Sequence, residues 1–330
     1  MSGSTPTELE RAEALAEQVL QRDVARRRML VIVNPYATTV SDRLKNLVVY
    51  ALQSRYDVDA VDTQAKAHAT ELTREAADEG YEVVVAFGGD GTVNEAANGL
   101  VGSDVPLTCL PGGSTNVFCR SLGIPNDVVD ATEHLLQLAD HFQPRRVDLG
   151  RVNGRHFTFS AGIGLDASVV EQVDAHPRLK ARYTRWYYTY VAVTQFTRKY
   201  LVHPPRVRVE VGGRTVDAVT VIVQNADPYT YFGPRPIRIC EGAGFDSGKL
   251  ALAVLDRASA ADMPTLIPRL LSGRAKTAQR HCHINGLGEI DYAHARALEG
   301  TFPLQVDGDF IGDVDEASFG IVPHALSVVA

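Results

Sequence analysis

The chain has 330 residues, with 33 lysines and arginines against 40 aspartates and glutamates, for a formal net charge of -7. With 45% hydrophobic and 22% charged residues it has an ordinary globular composition, which excludes a disordered or low-complexity chain. The length predicts about two domains of roughly 100 to 200 residues each. The acidic balance argues against a nucleic-acid-binding groove, so no nucleic-acid partner is expected.

Residues 1–28 are predicted to form a leading amphipathic helix that carries no chemistry of its own. Apolar residues from Leu9 to Val19 recur there at helical spacing among charges. The segment lacks the apolar core of a signal peptide, and no apolar run approaches the roughly 20 residues that cross a bilayer. The four cysteines form no CxxC pair, which favours reduced thiols over disulfides or structural zinc. We therefore expect a cytoplasmic protein whose contact with a membrane is peripheral.

Residues 29–145 alternate short β-rich runs with helical patterns. Strands are predicted at Met29–Val33, Val58–Val61, Tyr81–Phe87 and Pro106–Leu110, and helices at Val40–Ser54, His68–Glu79, Val93–Leu100 and Asn116–Leu122. This alternation is typical of βαβ units, in which helices cover both faces of a parallel sheet. The pattern predicts an N-terminal, doubly wound α/β domain.

The sequence pattern changes over residues 146–330, where short runs of alternating apolar and polar residues are separated by dipeptides that favour tight hairpin turns. These dipeptides are Asn153-Gly154, Gly212-Gly213 and Asp307-Gly308. The pattern predicts a second, mainly antiparallel β domain, with helical insertions near Leu179–Tyr200 and Ala260–Leu271. The final strands, Phe319–Val322 and Leu326–Val329, could pair with either domain.

The most informative segment is an apolar strand that runs directly into Gly88, Gly89 and Gly91 and then into a helix. Glycines at such a place let backbone N–H groups approach a phosphate closely, at the positive end of the helix. Asp90 lies inside this loop, where a carboxylate repels phosphate unless a metal ion or a reacting hydroxyl is also present. The alternative is an ordinary strand-to-helix turn with Thr92 as the N-cap.

Two further strand ends carry similar loops. Residues Pro111–Asn116 again open a helix, and Asn34–Thr39 supply hydroxyl and amide groups. In an open parallel sheet such loops gather at the carboxyl ends of the strands, where ligands bind. Three such loops favour a nucleotide site over three independent turns, although the Rossmann dinucleotide fingerprint and the Walker A motif both lack their defining residues.

Together these motifs resemble the diacylglycerol kinase catalytic-domain family, which includes bacterial lipid kinases, sphingosine kinases and ceramide kinases. The resemblance rests on Asn34-Pro35, Gly88–Glu95, Pro111–Asn116 and Val306–Asp309, with fitting spacing from Met29 onward. The segment GGDGT alone is shared with NAD kinases and resembles a phosphofructokinase loop. The resemblance implies a first domain of the NAD kinase/phosphofructokinase-like type, a second domain that presents the lipid, and ATP and Mg²⁺ as cofactors. The implied reaction is phosphorylation of a lipid hydroxyl, with diacylglycerol as the default substrate.

The resemblance also implies roles for individual residues. Asp307 matches the proposed general base, Asp309 stands where the family usually has Glu, and Asp90 matches the acid near the transferred phosphoryl group. Phosphoryl transfer needs such acids to hold Mg²⁺ and to accept the proton of the lipid hydroxyl. The positions implied to contact ATP are Asn34, Pro35, Tyr36, Ala37, Thr38, Thr63, Gly88, Gly89, Asp90, Gly91, Thr92, Val93, Asn94, Ser114, Thr115 and Asn116.

Two departures from the family pattern concern the nucleotide side. The first loop reads Asn-Pro-Tyr-Ala-Thr rather than Asn-Pro-x-Ser-Gly, and Val117 stands where many bacterial members have Asp. One acid of the usual metal and water network is therefore missing. Asp307-Gly308 also has an alternative interpretation, as nothing more than a hairpin turn.

A third departure concerns the segment Phe245–Lys249, which matches the structural Mg²⁺ loop of the family. Asp246 is kept as a metal ligand, but Ser247 replaces the acid before the glycine. Asp148 is the second candidate metal ligand, and its alternative is an ion pair with Arg145 or Arg146.

On the lipid side, Arg178–Tyr190 interleaves basic and aromatic residues and could dock at a bilayer surface, the alternative being a stripe that faces the core. Tyr229, Tyr231 and Phe232 lie on a loop that could border the lipid cleft. His281 and His283 alternate on one strand face, but two imidazoles without a third ligand are a weak indication of a metal.

Two other functions stay open at this point. One is a NAD kinase-like kinase of a small molecule, and the other is a non-catalytic nucleotide or lipid sensor, which Val117 and Ser247 make conceivable. A homodimer is expected only by analogy with similar enzymes.

Overall fold

The computed structural model describes residues 26–37, 40–174, 191, 194–195, 204–257 and 259–330. The leading helix lies almost entirely outside these ranges. So do Thr38, the basic and aromatic segment Arg178–Tyr190, and most of the helix predicted near Leu179–Tyr200.

The first part of the chain alternates strands with helices, as the sequence pattern predicts. In chain order its elements are β1 (Arg28–Val33), α1 (Asp42–Leu52), β2 (Asp57–Asp62), α2 (His68–Asp78), β3 (Val83–Gly88), α3 (Asp90–Leu100), β4 (Leu107–Pro111), α4 (Val117–Ser121) and α5 (Val128–Leu138). The strands lie in the order β2-β1-β3-β4 and run parallel. Residues on both faces of β1 and β3 are buried, which is typical of a parallel sheet covered on both sides.

Capping explains where two of these helices begin. Helix α1 begins at Asp42, two residues later than predicted, because the Ser41 side chain accepts a hydrogen bond from the Leu44 N–H. Helix α3 begins at Asp90, three residues earlier than predicted, and its N-cap is Gly89. Thr92 as the N-cap is therefore wrong, and Asp90 occupies the first turn of the helix.

The second part of the chain is mainly antiparallel, as predicted. Its elements are β5 (Arg145–Val152), β6 (Arg155–Phe157), β7 (Ser160–Gly164), α6 (Leu165–Asp174), β8 (Val207–Val211), β9 (Arg214–Ala218), β10 (Thr220–Gln224), β11 (Thr230–Phe232), β12 (Arg235–Ile237), β13 (Leu250–Leu255), α7 (Met263–Leu270), α8 (Ala275–Gln279), β14 (Ile284–Ile290), β15 (Tyr292–Ala297), β16 (Phe302–Val306), β17 (Asp309–Val314) and β18 (Glu316–Val328). All three predicted hairpin dipeptides are confirmed, with positive φ at both residues of each.

Two sheets form a sandwich in this part of the molecule. One has the order β14-β13-β10-β7-β16-β17, and the other continues the parallel sheet through β18, β15, β8 and β9. Apolar side chains of both sheets, such as Ile163 and Leu304 from one and Val209 and Phe319 from the other, form a single buried cluster. The predicted fold class, an α/β domain followed by a mainly antiparallel β domain, is confirmed.

Strand β18 connects the parallel and antiparallel parts of the larger sheet. Its first residues pair with β15, and most of the rest of the strand pairs with β5. At its end, Val328 pairs in parallel with Leu107 of β4. The two final strands in the sequence prediction are thus one strand, with an irregularity between Val322 and Leu326. This strand pairs with both parts of the fold. Among the described helices, none is long and apolar enough to cross a membrane.

Substitution of Gly99 by alanine should destabilise the packing of α2 against α3. A Cβ at position 99 would lie 1.9 Å from Thr73 Oγ1 and 2.5 Å from the backbone oxygen of Thr70. Such overpacking costs about 1–3 kcal/mol, which outweighs the higher helix propensity of alanine. We expect a lower urea midpoint and a lower Tm for Gly99→Ala. Gly244→Ala, where a Cβ meets nothing within 4 Å, is the matched control, and equal stability of the two variants would contradict this packing.

Candidate functional site

The loops after β3 and β4 lie against each other through their glycines. The Gly112 N–H donates to the Gly88 carbonyl at 2.8 Å. A Cβ on Gly112 would lie 2.9 Å from Gly88 Cα, and a Cβ on Gly113 would lie 2.8 Å from Gly89 Cα. The loop after β4 therefore needs glycine at both positions because the backbone of the other loop lies against it, a requirement separate from the approach of a phosphate that the sequence suggested.

Asn34, at the end of β1, ties the first loop to the glycine loop. Its backbone N–H donates to the Phe87 carbonyl at 2.9 Å, and its side-chain amide donates to Thr92 Oγ1 at 3.1 Å. Its side-chain oxygen accepts from the Tyr36 N–H at 3.0 Å. Tyr36 is 86% exposed, and the backbone N–H of Thr63, after β2, donates to the carbonyl of Val33. The predicted positions from these three strand ends thus lie side by side.

The second glycine loop is held by Asn116. The Asn116 side-chain oxygen accepts from the Gly113 N–H at 2.9 Å, and its amide donates to the Gly113 carbonyl and to Asn126 Oδ1, each at 2.9 Å. Asn116 is buried and shapes the loop, whereas Ser114 is exposed and lies 3.4 Å, oxygen to oxygen, from Thr115. The Ser114 side chain is therefore accessible, and contact of Ser114 and Thr115 with ATP stays a prediction.

Val93 and Asn94 occupy inward positions on α3. Val93 is 1% exposed and belongs to the apolar core of the first domain, and Asn94 is fully buried. The side chains at these two positions contact protein rather than solvent, so their contact with a nucleotide stays a prediction.

Asp90 carries a strongly perturbed carboxyl group. Its Oδ1 accepts from the Phe118 N–H at 3.3 Å. Burial raises the pKa of Asp90 to about 7, against the lowering effect of the Phe118 hydrogen bond and with smaller raising contributions from Asp307 and Asp309. Near neutral pH this carboxyl therefore titrates, and a cation bound beside it would favour the ionised form.

Asp307 is the most heavily hydrogen-bonded acid of the site. Its Oδ2 accepts from the Asn94 amide at 2.8 Å and from the Thr158 N–H and hydroxyl at 2.6 and 2.8 Å. Its Oδ1 accepts from the N–H groups of Phe159 and Ser160, both at 3.0 Å. Burial raises the pKa of Asp307, and these hydrogen bonds oppose that shift. Acceptance of a substrate proton would require displacement of a donor, whereas a positioning role requires no change.

Asp309 brings the second domain to the start of α3. It is the first residue of β17, two positions after Asp307, and a Cβ on Gly91 would lie 2.7 Å from its Oδ2. The charges of Asp307 and Asp309 both raise the pKa of Asp90, so the three predicted catalytic acids form one cluster. The positive end of α3 is the natural counterpart of these charges.

A polar network that sequence reasoning missed supports this cluster. Asn94 Oδ1 accepts from Arg155 at 2.7 Å, and the Asn98 amide donates to the Asn94 carbonyl at 2.9 Å and to the His156 carbonyl at 3.0 Å. The His156 N–H donates in return to Asn98 Oδ1 at 3.0 Å. The available signal was the pair of asparagines four residues apart, which places both on one helix face.

The candidate metal ligands Asp148 and Asp246 are engaged by other groups. Asp148 accepts from the Gly248 N–H at 2.6 Å and from the His324 N–H at 2.9 Å. Asp246 accepts two hydrogen bonds from Arg145, at 3.0 and 3.1 Å. The Arg145 guanidinium thus pairs with Asp246. The alternative interpretation, an ion pair between Asp148 and Arg145, is therefore wrong.

These contacts show a loop held by protein donors, and Asp148 and Asp246 as Mg²⁺ ligands stay a prediction. Arg146, the other suggested partner of Asp148, pairs with Asp104. In the part of the chain that the structure describes, no three histidine, cysteine or acidic side chains are grouped as metal ligands.

The β11–β12 hairpin lies beside the second glycine loop. The Arg120 guanidinium, on α4, lies 3.3 Å from the centroid of the Tyr231 ring and donates to the Gly233 carbonyl at 3.2 Å. Tyr231 and Phe232 are therefore near the candidate nucleotide loops. His281 and His283 have separate partners instead, Thr265 at 3.2 Å and Asp256 at 2.8 Å.

Two family descriptions match the chain. The Diacylglycerol kinase catalytic domain matches residues 28–152, and the YegS C-terminal NAD kinase beta sandwich-like domain matches residues 159–330. The boundary between the matches falls at the β5–β6 hairpin and its following residues. The acid cluster therefore takes Asp90 from one match and Asp307 and Asp309 from the other.

Individual relatives match different shares of the chain. A Bacillus subtilis (strain 168) diacylglycerol kinase is 34% identical over 145 residues, which is 42% of this chain and 46% of that protein. The chain thus matches less than half of that relative. A Streptococcus pneumoniae protein provisionally named a lipid kinase is 25% identical over 301 residues, 87% of this chain and 91% of that protein.

Solved structures show the same fold. A Bacillus anthracis protein provisionally described as a diacylglycerol kinase superposes with a TM-score of 0.70 and 25% identity, covering 92% of this chain and 94% of its own. Yeast NADH kinase superposes with a TM-score of 0.51 and 10% identity, covering 92% and 84%, and shows the fold alone. The predicted NAD kinase-like architecture is confirmed. The chain belongs to the diacylglycerol kinase catalytic domain family of lipid kinases, with a YegS-type C-terminal domain.

Proposed function

We propose that this protein is an ATP-dependent lipid kinase that transfers the γ-phosphoryl group to the free hydroxyl of diacylglycerol and so forms phosphatidic acid. The observation that carries the proposal is the cluster of Asp90, Asp307 and Asp309 at the first turn of α3, beside two glycine loops. Family membership supports a lipid as acceptor, and the named relatives support diacylglycerol.

ATP is proposed to bind across the ends of β1, β3 and β4. The N-terminus of α3 and the exposed Ser114 hydroxyl are suited to phosphate oxygens, and the exposed Tyr36 ring is suited to contact a base. Mg²⁺ is commonly held by one or two carboxylates together with substrate phosphates, and in this proposal Asp90 would hold it, which leaves Asp309 for the lipid hydroxyl. When bound, the ion would neutralise charge on the phosphate oxygens.

In the proposed reaction the lipid hydroxyl oxygen forms a bond to the γ-phosphorus, and the bond from that phosphorus to the β–γ bridging oxygen breaks. ADP leaves with the bond electrons, and the hydroxyl proton passes to a carboxylate of the Asp307–Asp309 turn. The five hydrogen bonds on Asp307 favour Asp309 as the acid that meets the hydroxyl, with Asp307 fixing the turn. Asp307 as the base, as the family resemblance implies, is the competing assignment.

The class of acceptor is tested by ADP release from Mg-ATP with the purified chain. Parallel reactions contain mixed micelles of diacylglycerol, of sphingosine or of ceramide, or soluble NAD. We expect release with diacylglycerol alone. Release with NAD alone would replace the proposal by a NAD kinase-like activity, and release with another lipid would change the substrate. Nucleotide binding without release on any acceptor would favour a sensor, with Val117 and Ser247 as the departures to examine.

The two turn acids are expected to separate stability from turnover. Asp307→Asn leaves buried donors facing an amide, so it should lower the free energy of unfolding by about 2 kcal/mol or more. Asp309→Asn should lower kcat by at least about 100-fold and cost less stability than Asp307→Asn, because Asp309 is half-buried whereas Asp307 is only 2% exposed. Urea unfolding and ADP release measure the two effects. Full turnover by Asp309→Asn, with loss of turnover in a stably folded Asp307→Asn, would return the base to Asp307.

Asp90 should impose a pH dependence on stability in the nucleotide-free protein. The folded state keeps the Asp90 proton to about pH 7, whereas the ordinary carboxyl pKa is 3.8. The folded state binds more protons in this window, so the free energy of unfolding falls as pH rises through it. Asp90→Asn removes that loss and should raise Tm more at about pH 8 than at about pH 5.

Thermal unfolding of wild type and Asp90→Asn at both pH values measures this effect. Part of the wild-type pH dependence of stability should remain in Asp90→Asn, because the pKa of Asp307 is shifted in the same direction. An equal change in Tm at both pH values would show that Asp90 is ionised throughout the window.

A further inference from the structure

The segment from Met263 to Gly288 has an unusual charge composition. It contains no aspartate or glutamate, although the chain has 40 acidic residues among 330. Four basic residues lie in it: Arg269, Arg274, Lys276 and Arg280. The segment includes α7, α8 and most of β14. An acidic protein thus carries a local basic region on its second domain.

Helix α7 is apolar on two sides. One side packs inward, because Leu266 is 6% exposed and Leu270 packs against a buried cluster around Cys240. The other side bears Pro264, Ile267, Pro268 and Leu271, at positions i, i+3, i+4 and i+7, which all lie on one face. Ile267 is 49% exposed and Leu271 is 41% exposed. A surface helix normally presents polar residues on its solvent-facing side, so an apolar stripe there is unusual.

Exposed basic side chains follow the stripe along the chain. Arg274, Lys276 and Arg280 are exposed, whereas Arg269 is half-buried on α7 itself. Lys276 lies 3.7 Å from Glu241, which offsets its charge, and Arg274 and Arg280 remain. An exposed apolar helix face followed by basic residues is typical of a segment that lies in a membrane interface.

The β11–β12 hairpin links this surface to the candidate active site. At one end Arg120 of α4 contacts Tyr231 and Gly233. At the other end Arg238 donates to the Gly273 carbonyl at 3.4 Å, in the turn after α7. Phe232, beside Tyr231 at the Arg120 end, is 41% exposed. The hairpin therefore carries one more exposed apolar ring and contacts the turn after α7 through Arg238.

We propose that the exposed face of α7, with the exposed Arg274 and Arg280 of the following segment and with Phe232, docks the protein onto an anionic lipid bilayer. The proposal rests on the lipid kinase function, and it names the surface by which the enzyme reaches its substrate. Charge complementarity selects the occupant, because a segment with basic and no acidic residues gains from an anionic leaflet. A symmetric second copy would instead bring two basic segments together, which is unfavourable.

Vesicle flotation without ATP or diacylglycerol tests the surface independently of catalysis. The full chain should bind vesicles of phosphatidylcholine and phosphatidylglycerol and bind much less to phosphatidylcholine alone. Salt should weaken the binding, since it screens exposed charges. Ile267→Ser/Leu271→Ser and Arg269→Gln/Arg274→Gln/Arg280→Gln should each lower the partition coefficient about tenfold or more.

Matched controls replace exposed residues outside the surface. Leu47→Ser/Tyr50→Ser removes exposed apolar side chains from α1, and Arg74→Gln/Arg214→Gln/Arg296→Gln removes three exposed arginines. Both controls should bind within about twofold of wild type, because their positions lie outside the proposed contact. Absence of wild-type binding, or equal losses in the surface variants and the controls, would overturn the proposal.

Two further readouts separate the possible failures. On diacylglycerol in detergent micelles, the surface variants should release ADP within about twofold of wild type, since docking is then dispensable, but release on vesicles should fall with binding. Surface-dependent flotation with no kinase activity would keep the docking surface and reject the kinase. Sedimentation that shows a wild-type dimer and monomeric Ile267→Ser/Leu271→Ser, without vesicle binding, would assign the face to a second copy.

Discussion

The buried carboxylate of Asp307 is the interaction on which the candidate site depends. Its donors come from α3 of the first domain and from the chain between β6 and β7, while Asp307 itself lies in the β16–β17 turn. A buried charge is tolerated only when its hydrogen-bonding capacity is met, and five donors meet it here. The position of Asp309, and with it the acid cluster, follows from that arrangement. Burial still raises the pKa of both Asp307 and Asp90.

The glycine loops illustrate a second constraint, which is steric. Gly88 with Gly112 and Gly89 with Gly113 allow two strand ends to touch through their backbones. Side chains at Gly112 and Gly113 would push the two loops apart, and a side chain at Gly88 would collide with Thr92 in the first turn of α3. The same residues thus leave N–H groups open to a ligand and hold the two loops together.

Local patterns were sufficient to predict much of the fold. The alternation of strands and helices gave the parallel sheet, and three turn dipeptides located hairpins, since both signals are local. The pairing of β18 with β4 and β5 was not predictable, because partners more than 150 residues apart leave no periodic trace. Motifs likewise located the acids but not their partners: Arg145 at Asp246, and Asn94 and Thr158 at Asp307, became apparent only from the packing.

The continuity of β18 also limits how the molecule can move. Many kinases close two lobes about a hinge, and a hinge requires a flexible connection between separable bodies. Here the strand that pairs with the antiparallel sheet at its start ends against β4, and β5 runs along the same path. One residue pair joins β18 to β4, whereas seven pairs join β18 to β5. A relative rotation of the two parts would therefore have to bend two paired strands rather than a single flexible linker.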